Sequence, residues 1–337
     1  MAFTIYHSTD TGAPALTNVT GTLITVLNDI LVTGYGSQSP AGWTAPAALQ
    51  GTNHWAFKNA SPASPTGTGT GFYLDVNDNG PGAGAGVEAR ITGYETMSGV
   101  GAGEGQFPSA ILSQGVSPYG FTVARKSANS SSHAWIAFAD SLTLYFFVQS
   151  EGTSQYAGWA FGDFYSFAGT TDNWRCLIIG RSAENNASLG CGAMDQTSQL
   201  STTTVSQANA VNTHYCPRTS SGGGLSIALG KHGDYGKAGQ GGFSTSDQIL
   251  GQLGIQTPNG PDGAYYVSPI WLHEPAGLAI RGTMRGLWQL CHPVGSFTDQ
   301  QTITASGSLS GKVFQVVKTT DGGGCLAVET SNTLLTN

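Results

Sequence analysis

The chain has 337 residues, a length that favours about two domains, with 13 Lys and Arg against 20 Asp and Glu, a formal net charge of −7 and a pI of about 5.4. With no basic run to neutralise phosphates, this composition argues against nucleic-acid binding. Charged residues make up 10 % of the chain and glycine occupies 49 positions, which argues against a helical enzyme domain and for many short strands joined by glycine turns.

No apolar stretch approaches the roughly 20 residues that span a bilayer. Met1–Tyr6 lacks the basic segment and small-residue cleavage site of a secretory signal, so synthesis and folding in a cytoplasm are expected. Phe3 and Ile5 alternate as a strand. Leu16, Val19, Leu23, Leu27 and Ile30 or Leu31 then recur at three- and four-residue steps, which predicts the one good helix over about 17–32, stopped by Gly34. Tyr35–Trp43 reads as a glycine- and proline-punctuated loop. Strand patterns return at His54–Lys58 and Phe72–Val76, with a flexible surface loop over 59–71 between them.

The stretch Tyr73-Leu-Asp-Val-Asn-Asp-Asn-Gly-Pro81 contains Asp75-x-Asn77-x-Asn79-Gly80, half of a calcium-loop signature. Position twelve of that loop would be Gly86 rather than Glu, and the flanking residues alternate as strands rather than helices. The favoured reading is a hairpin in which Asp78, Asn79 and Gly80 take up positive φ and turn the chain into a second strand through Val87, Ala89 and Ile91. Weak calcium binding by Asp75, Asn77 and Asn79 stays open beside it.

Strands follow at Phe121–Arg125, Ala134–Ala139, Leu142–Val148, Gly158–Phe164 and Cys176–Gly180, with Asp140–Ser141 as a two-residue hairpin loop, which predicts a mostly antiparallel sheet. Residues 182–224 are rich in Ser, Thr, Asn, Gln and Gly and read as a linker or an insertion. Strands resume at Tyr265–Leu272, Leu278–Leu287, Val313–Val317 and Leu326–Thr330. No fixed-period repeat occurs. The expected fold is therefore mainly β: an antiparallel sheet or sandwich with one N-terminal helix (1–181), the polar stretch (182–224) and a second β-rich part (225–337).

Tests for chemistry are negative or weak. Gly307–Lys312 has a phosphate-loop look but the wrong glycine spacing and Val313 in place of Ser or Thr, so a turn before a strand is expected. Gly80–Gly86 resembles a dinucleotide loop but joins two strands. Neither a Gly-x-Ser-x-Gly elbow nor a His-Glu-x-x-His helix is present. Glu88, Glu95, Glu104, Asp163, Asp172 and Glu184 are candidates for a glycosidase pair only if two of them converge, and solvated turn or edge positions are the expectation. Cys176, Cys191, Cys216, Cys291 and Cys325 form no Cys-x-x-Cys pair and read as small buried thiols, although His214 near Cys216 leaves a metal site conceivable. Trp135 and Trp159 fall in core patterns. Trp43 and Trp174 lie in turns and are the two candidates for an exposed stacking surface for sugar or a partner.

Several blocks carry a resemblance. Gly34–Trp43, Phe72–Gly84 with Ala89–Met97, Phe161–Phe167 and Gly286–Pro293 leading to Gly311–Phe314 together resemble structural proteins of tailed-phage virions. Gln289-Leu-Cys-His-Pro293 departs from the Trp-rich turn of that pattern and puts any role of Trp288 in doubt. The resemblance implies a non-enzymatic virion subunit in the tail or tail-tip apparatus, in a baseplate or fibre-attachment position. It brings no catalytic residue, no cofactor and no metal. Its partners would be other virion proteins and further copies of the chain, with host-surface glycan as an additional one, and neither nucleic acid nor membrane insertion. A capsid-surface decoration or head-fibre protein is the first alternative. A glycan-binding receptor module using Trp43 or Trp174 comes next, and a polysaccharide-cleaving enzyme last.

Overall fold

A computed structural model describes residues 2–60, 69–79, 88–109, 120–127, 129–149, 156–181, 212–223, 227–232, 265, 267–274, 279–290, 297–318 and 325–331. The fold is mainly β with antiparallel ladders and one helix. The N-terminal part supplies β1 (Thr4–His7), α1 (Thr22–Asn28), β2 (Gln50–Gly51), β3 (His54–Lys58), β4 (Tyr73–Asn77), β5 (Glu88–Tyr94) and the hairpin β6 (Thr96–Gly99) and β7 (Ala102–Glu104). The middle supplies β8 (Thr122–Arg125), β9 (Trp135–Ala139), β10 (Thr143–Gln149), β11 (Tyr156–Asp163), β12 (Tyr165–Ser166) and β13 (Cys176–Arg181). Then follow β14 (Asn212–Cys216), β15 (Ile227–His232), β16 (Val267–Glu274), β17 (Ala279–Leu290), β18 (Thr302–Thr304), β19 (Val313–Lys318) and β20 (Cys325–Glu329).

Pairing runs β2–β3–β4–β5–β8 to one end of β13, and β13–β11–β10–β9–β1 along the rest of that edge. From the other edge of β13 the path continues β14–β15–β16–β17–β20–β19–β18, with β12 also on β17. Among the described residues these ladders form an open, branching path, since no pairing returns it to its start.

The central strands explain the layering. Along β9, β10, β11 and β13 side chains alternate between two cores, as the two-residue strand period requires. Trp135, Ala137, Leu144, Phe146, Trp159, Phe161 and Ile178 pack with α1 and with Phe57, Leu74 and Ile91 of the N-terminal strands. Ile136, Phe138, Tyr145, Phe147, Leu177 and Ile179 pack instead with Leu272, Met284, Leu287 and Val328 of the C-terminal sheet. Burial on both faces is why these strands read as near-continuous apolar runs. The second core thus joins residues from 1–181 to residues from 225–337. Of the polar stretch 182–224, the described part includes β14, paired with β13 and β15.

The helix is shorter than its apolar period predicts. Leu16 pairs with His133 as an isolated bridge, α1 begins after Gly21 (φ 85°), and a π-turn over Asp29–Thr33 carries it to Gly34 (φ 78°), which ends it as expected. No side chain next to the helix caps it. Asp78, distant in sequence, accepts the Leu23 N–H at 3.0 Å and so satisfies one of the donors left open in the first turn.

The backbone of Asp78 and Asn79 corrects the positive φ expected of them in that connection. Strands β4 and β5 are antiparallel neighbours from Tyr73 opposite Tyr94 to Asn77 opposite Arg90, as the hairpin requires. Yet Asn53 and Gln300 are the non-glycine residues with positive φ among those described, and Asp78 is fully buried. Gly80–Val87, including the glycine-rich run, lies outside the described residues. The β9–β10 hairpin is also shifted by one residue. Its two-residue loop is Ser141–Leu142, closed by the Asp140 N–H on the Thr143 carbonyl at 3.1 Å, while Asp140 Oδ1 accepts the Leu142 and Thr143 N–H groups. Opposite it, Gly162 has φ 138°, and a Cβ there would lie 2.4 Å from the Leu142 carbonyl oxygen.

Candidate functional site

Two arginines of β17 organise the junction between the layers. Arg281 Nε and Nη2 donate to the two carboxylate oxygens of Asp172, each at 2.9 Å, in the paired fork geometry that a guanidinium favours. Its Nη1 donates to the Arg218 carbonyl at 2.7 Å and its Nη2 to the Trp174 carbonyl at 3.0 Å. Glu274 Oε1 lies 3.4 Å from Nη1 and also accepts the Ser220 N–H at 2.6 Å. The guanidinium rests over Phe164 at 5.3 Å. One buried cation therefore ties the 164–174 segment, the 218–220 turn and the β16–β17 hairpin together.

Two large apolar side chains beside this joint are exposed. Phe167 and Ile280 are 49 % and 51 % exposed, and Phe167 packs 5.9 Å from the half-buried Trp271. β12 sets Phe167 there, since Tyr165 and Ser166 pair with Thr283 and Gly282 and the Phe167 N–H donates to the Arg281 carbonyl at 2.8 Å.

Four residues further along β17, Arg285 grips Asp140. Its Nη1 donates to Oδ1 at 2.9 Å and its Nη2 to Oδ2 at 2.5 Å, and Nη1 also reaches the Thr143 hydroxyl at 2.9 Å. The Asp140 carbonyl accepts the Trp43 indole N–H at 2.6 Å. The same hairpin thus holds the C-terminal sheet on one side and the loop after α1 on the other.

These contacts relocate the residues singled out in the sequence. Trp43 is 3 % exposed, with its ring edge-on to Phe161 at 5.9 Å, so it is a core residue and not an open stacking surface. The loop that carries it is held down because Ala41, Gly42 and Trp43 donate their N–H groups to the Ile30 and Leu31 carbonyls at the end of the helix. Trp174 is half-buried against the first core. The Arg218 guanidinium sits 5.9 Å from its ring centre, and Gly222 lies so close that a Cβ there would meet the indole at 2.4 Å. Trp135 and Trp159 are core residues as expected. Trp288 is also buried, edge-on to Phe314 at 6.0 Å.

The carboxylates are not the solvated set that their turn and edge positions suggest. Glu88 is buried opposite Arg125 in the β5–β8 ladder, and Asp172 is fully buried on Arg281. Glu95 pairs with Arg218 at 2.6 Å, Glu104 is exposed on β7, and Glu184 lies outside the described residues. Asp163 is buried at the end of β11, where Thr70 N–H and Oγ1 and Asn59 Nδ2 donate to it at 2.9, 2.6 and 2.9 Å. In the calcium-like motif Asp75 Oδ2 is 2.8 Å from His54 Nε2, and Asn77 Oδ1 accepts both Asn79 nitrogens at 3.2 Å. Cys176 and Cys216 are buried thiols, and burial pushes Cys216 up to about 12, which keeps it protonated. His214 is buried on β14. Among the described residues no three His, Cys, Asp or Glu side chains gather as metal ligands, and no helix is long and apolar enough to cross a membrane.

Burial raises Asp163 from 3.8 to about 6, against the opposing hydrogen bonds from Thr70 and Asn59. Because the folded value lies above the unfolded one, the contribution of Asp163 to stability is full below about 3.8 and is lost as pH rises through about 6. The wild-type chain should therefore lose on the order of 2–3 kcal/mol relative to Asp163→Asn between pH about 3.5 and about 7.5. Urea unfolding of both proteins at the two pH values measures this difference. Equal changes in both would contradict it.

Comparison with protein-family models and with curated proteins finds no match. The residues that sequence reasoning missed are Arg281, Arg285, Asp140 and the Lys126–Asp78 pair. A signal for the two arginines was present: a chain with 13 Lys and Arg places two of them inside the apolar run of β17. A charge there must be paired, because long charged side chains are almost never fully buried alone.

Proposed function

We propose that the chain is a non-enzymatic structural subunit of a tailed-phage particle, in the tail or tail-tip apparatus, that packs against further copies of itself and other virion proteins. The observation that carries this reading is where the charge goes. Arg125, Lys126, Arg281 and Arg285 are buried, as are Asp75, Asp78, Glu88, Asp140, Asp163, Asp172 and Glu329. A chain already poor in charge thus uses much of it to fasten strand to strand. The exposed positions among the described residues are rich in Gly, Ser and Thr and cheap to desolvate, and charge depletion is the compositional mark of protein–protein interface cores. The resemblance to virion proteins points the same way.

Phe167, packed on Trp271, and Ile280 are the exposed apolar residues assigned to the contact with a neighbouring copy. Light scattering after gel filtration should find a defined oligomer at micromolar concentration. Phe167→Asp combined with Ile280→Asp should shift it at least tenfold toward monomer with an unchanged melting temperature. A monomer under all conditions that binds or cleaves host envelope polysaccharide, with that activity lost on Trp174→Ala, would overturn the proposal in favour of a glycan-directed protein.

A further inference from the structure

Lys126 and Asp78 form the one lysine–carboxylate pair among the described residues in which both side chains are wholly shielded from solvent. Asp78 follows β4 and Lys126 follows β8, two strands that run parallel to each other on either side of β5. Lys126 Nζ lies 2.5 Å from Asp78 Oδ1 and donates to the Val19 carbonyl at 2.8 Å, while Asp78 Oδ2 accepts the Leu23 N–H at 3.0 Å. Beyond each other, the two groups have the Val19 carbonyl as acceptor and the Leu23 N–H as donor, and the Gly21 N–H also acts on the Asp78 carboxylate.

That environment is poorly matched to an ion pair. An ammonium has three N–H donors and a carboxylate about four acceptor sites, and both have given up water here. A secondary amide has one donor and one acceptor of the kind that Val19 and Leu23 supply. Burial also works against both charges: desolvation raises the Asp78 carboxyl above its ordinary range and lowers the Lys126 amine below its own, with the mutual attraction opposing each shift. Burial thus moves both groups in the direction of the free amine and carboxylic acid that an amide condensation uses.

We propose that Lys126 and Asp78 condense into an intramolecular amide that links β8 to β4 across β5 and clamps the start of α1. A proton first passes from Nζ to Oδ1 across their contact. The Nζ lone pair then adds to Cγ, and the C=O electron pair moves onto Oδ2, where the Leu23 N–H stabilises the oxyanion. The Cγ–Oδ1 bond breaks as Oδ1, carrying the first proton and taking a second from Nζ, leaves as water. The N–H that remains donates to the Val19 carbonyl. Nothing is oxidised or reduced and no co-reactant enters. Fixed proximity in a dry site supplies the driving geometry.

The test is mass spectrometry on the full chain, held folded near neutral pH for several days and then denatured and reduced. The expected result is an intact mass lower than that of the sequence by one water, together with a branched proteolytic peptide that joins residues 78 and 126. Lys126→Arg should show no such loss. Asp78→Asn, which condenses by losing ammonia, should yield the same branched peptide as the wild type. If Lys126→Arg fails to fold, the wild-type measurement still decides. A full sequence mass with linear peptides carrying unmodified Lys126 and Asp78 would overturn the proposal.

Discussion

Arg285→Ala should lower the free energy of unfolding by about 3–5 kcal/mol, the usual cost of stripping one partner from a buried ion pair. The loss arises because the Asp140 carboxylate is left buried with its two guanidinium contacts gone, while its carbonyl and Oδ1 remain committed to Trp43 and to the hairpin N–H groups. Removing both charges is milder. Asp140→Asn keeps an Oδ1 for the Leu142 and Thr143 N–H groups, and combined with Arg285→Met it should recover at least half of the single-mutant loss. Urea unfolding of the wild type, Arg285→Ala and the double variant reads this directly. A single mutant within 1 kcal/mol of wild type would show that the pair does not hold the sheets together.

Trp43→Ala should cost a similar amount, about 3–5 kcal/mol, as large-to-small changes of buried aromatic residues do. It removes a ring packed on Phe161 and leaves the Asp140 carbonyl without its indole donor. The prediction separates packing from binding: a residue needed for sugar stacking alone would leave the melting temperature unchanged when truncated. Since Trp43 and Arg285 converge on Asp140, their effects should not add, and a double-mutant cycle should show a coupling of about 0.5 kcal/mol or more.

Much of the fold was legible because it rests on local periodicity. The alternation in β9, β10, β11 and β13 and the apolar stripe of α1 are short-range patterns, and the strands fall within a few residues of where those patterns place them. What was not legible depends on partners far away in the chain. Asp78 read as a turn residue because nothing beside it hints that Lys126, 48 residues on, and the start of α1 converge on it. Asp172 and Arg281 are 109 residues apart, and Asp140 and Arg285 are 145 apart. Trp43 stood as a candidate for exposure because Gly and Pro punctuate its loop, yet that loop folds back on the carbonyls that end the helix. Of the residues around Arg281, Trp174 was singled out in the sequence by its setting in a polar turn, and only its carbonyl, not its ring, meets the guanidinium. Phe167 and Ile280 were missed because an apolar residue in a strand pattern carries no mark of which face it will occupy.

The central claim is a place in a virion, and Fab-labelled electron microscopy of phage particles assembled with this chain tests it most directly. Label at the distal end of the tail is the result the account predicts. Particles that carry no label, while the chain stays in the soluble fraction of the lysate, would contradict it.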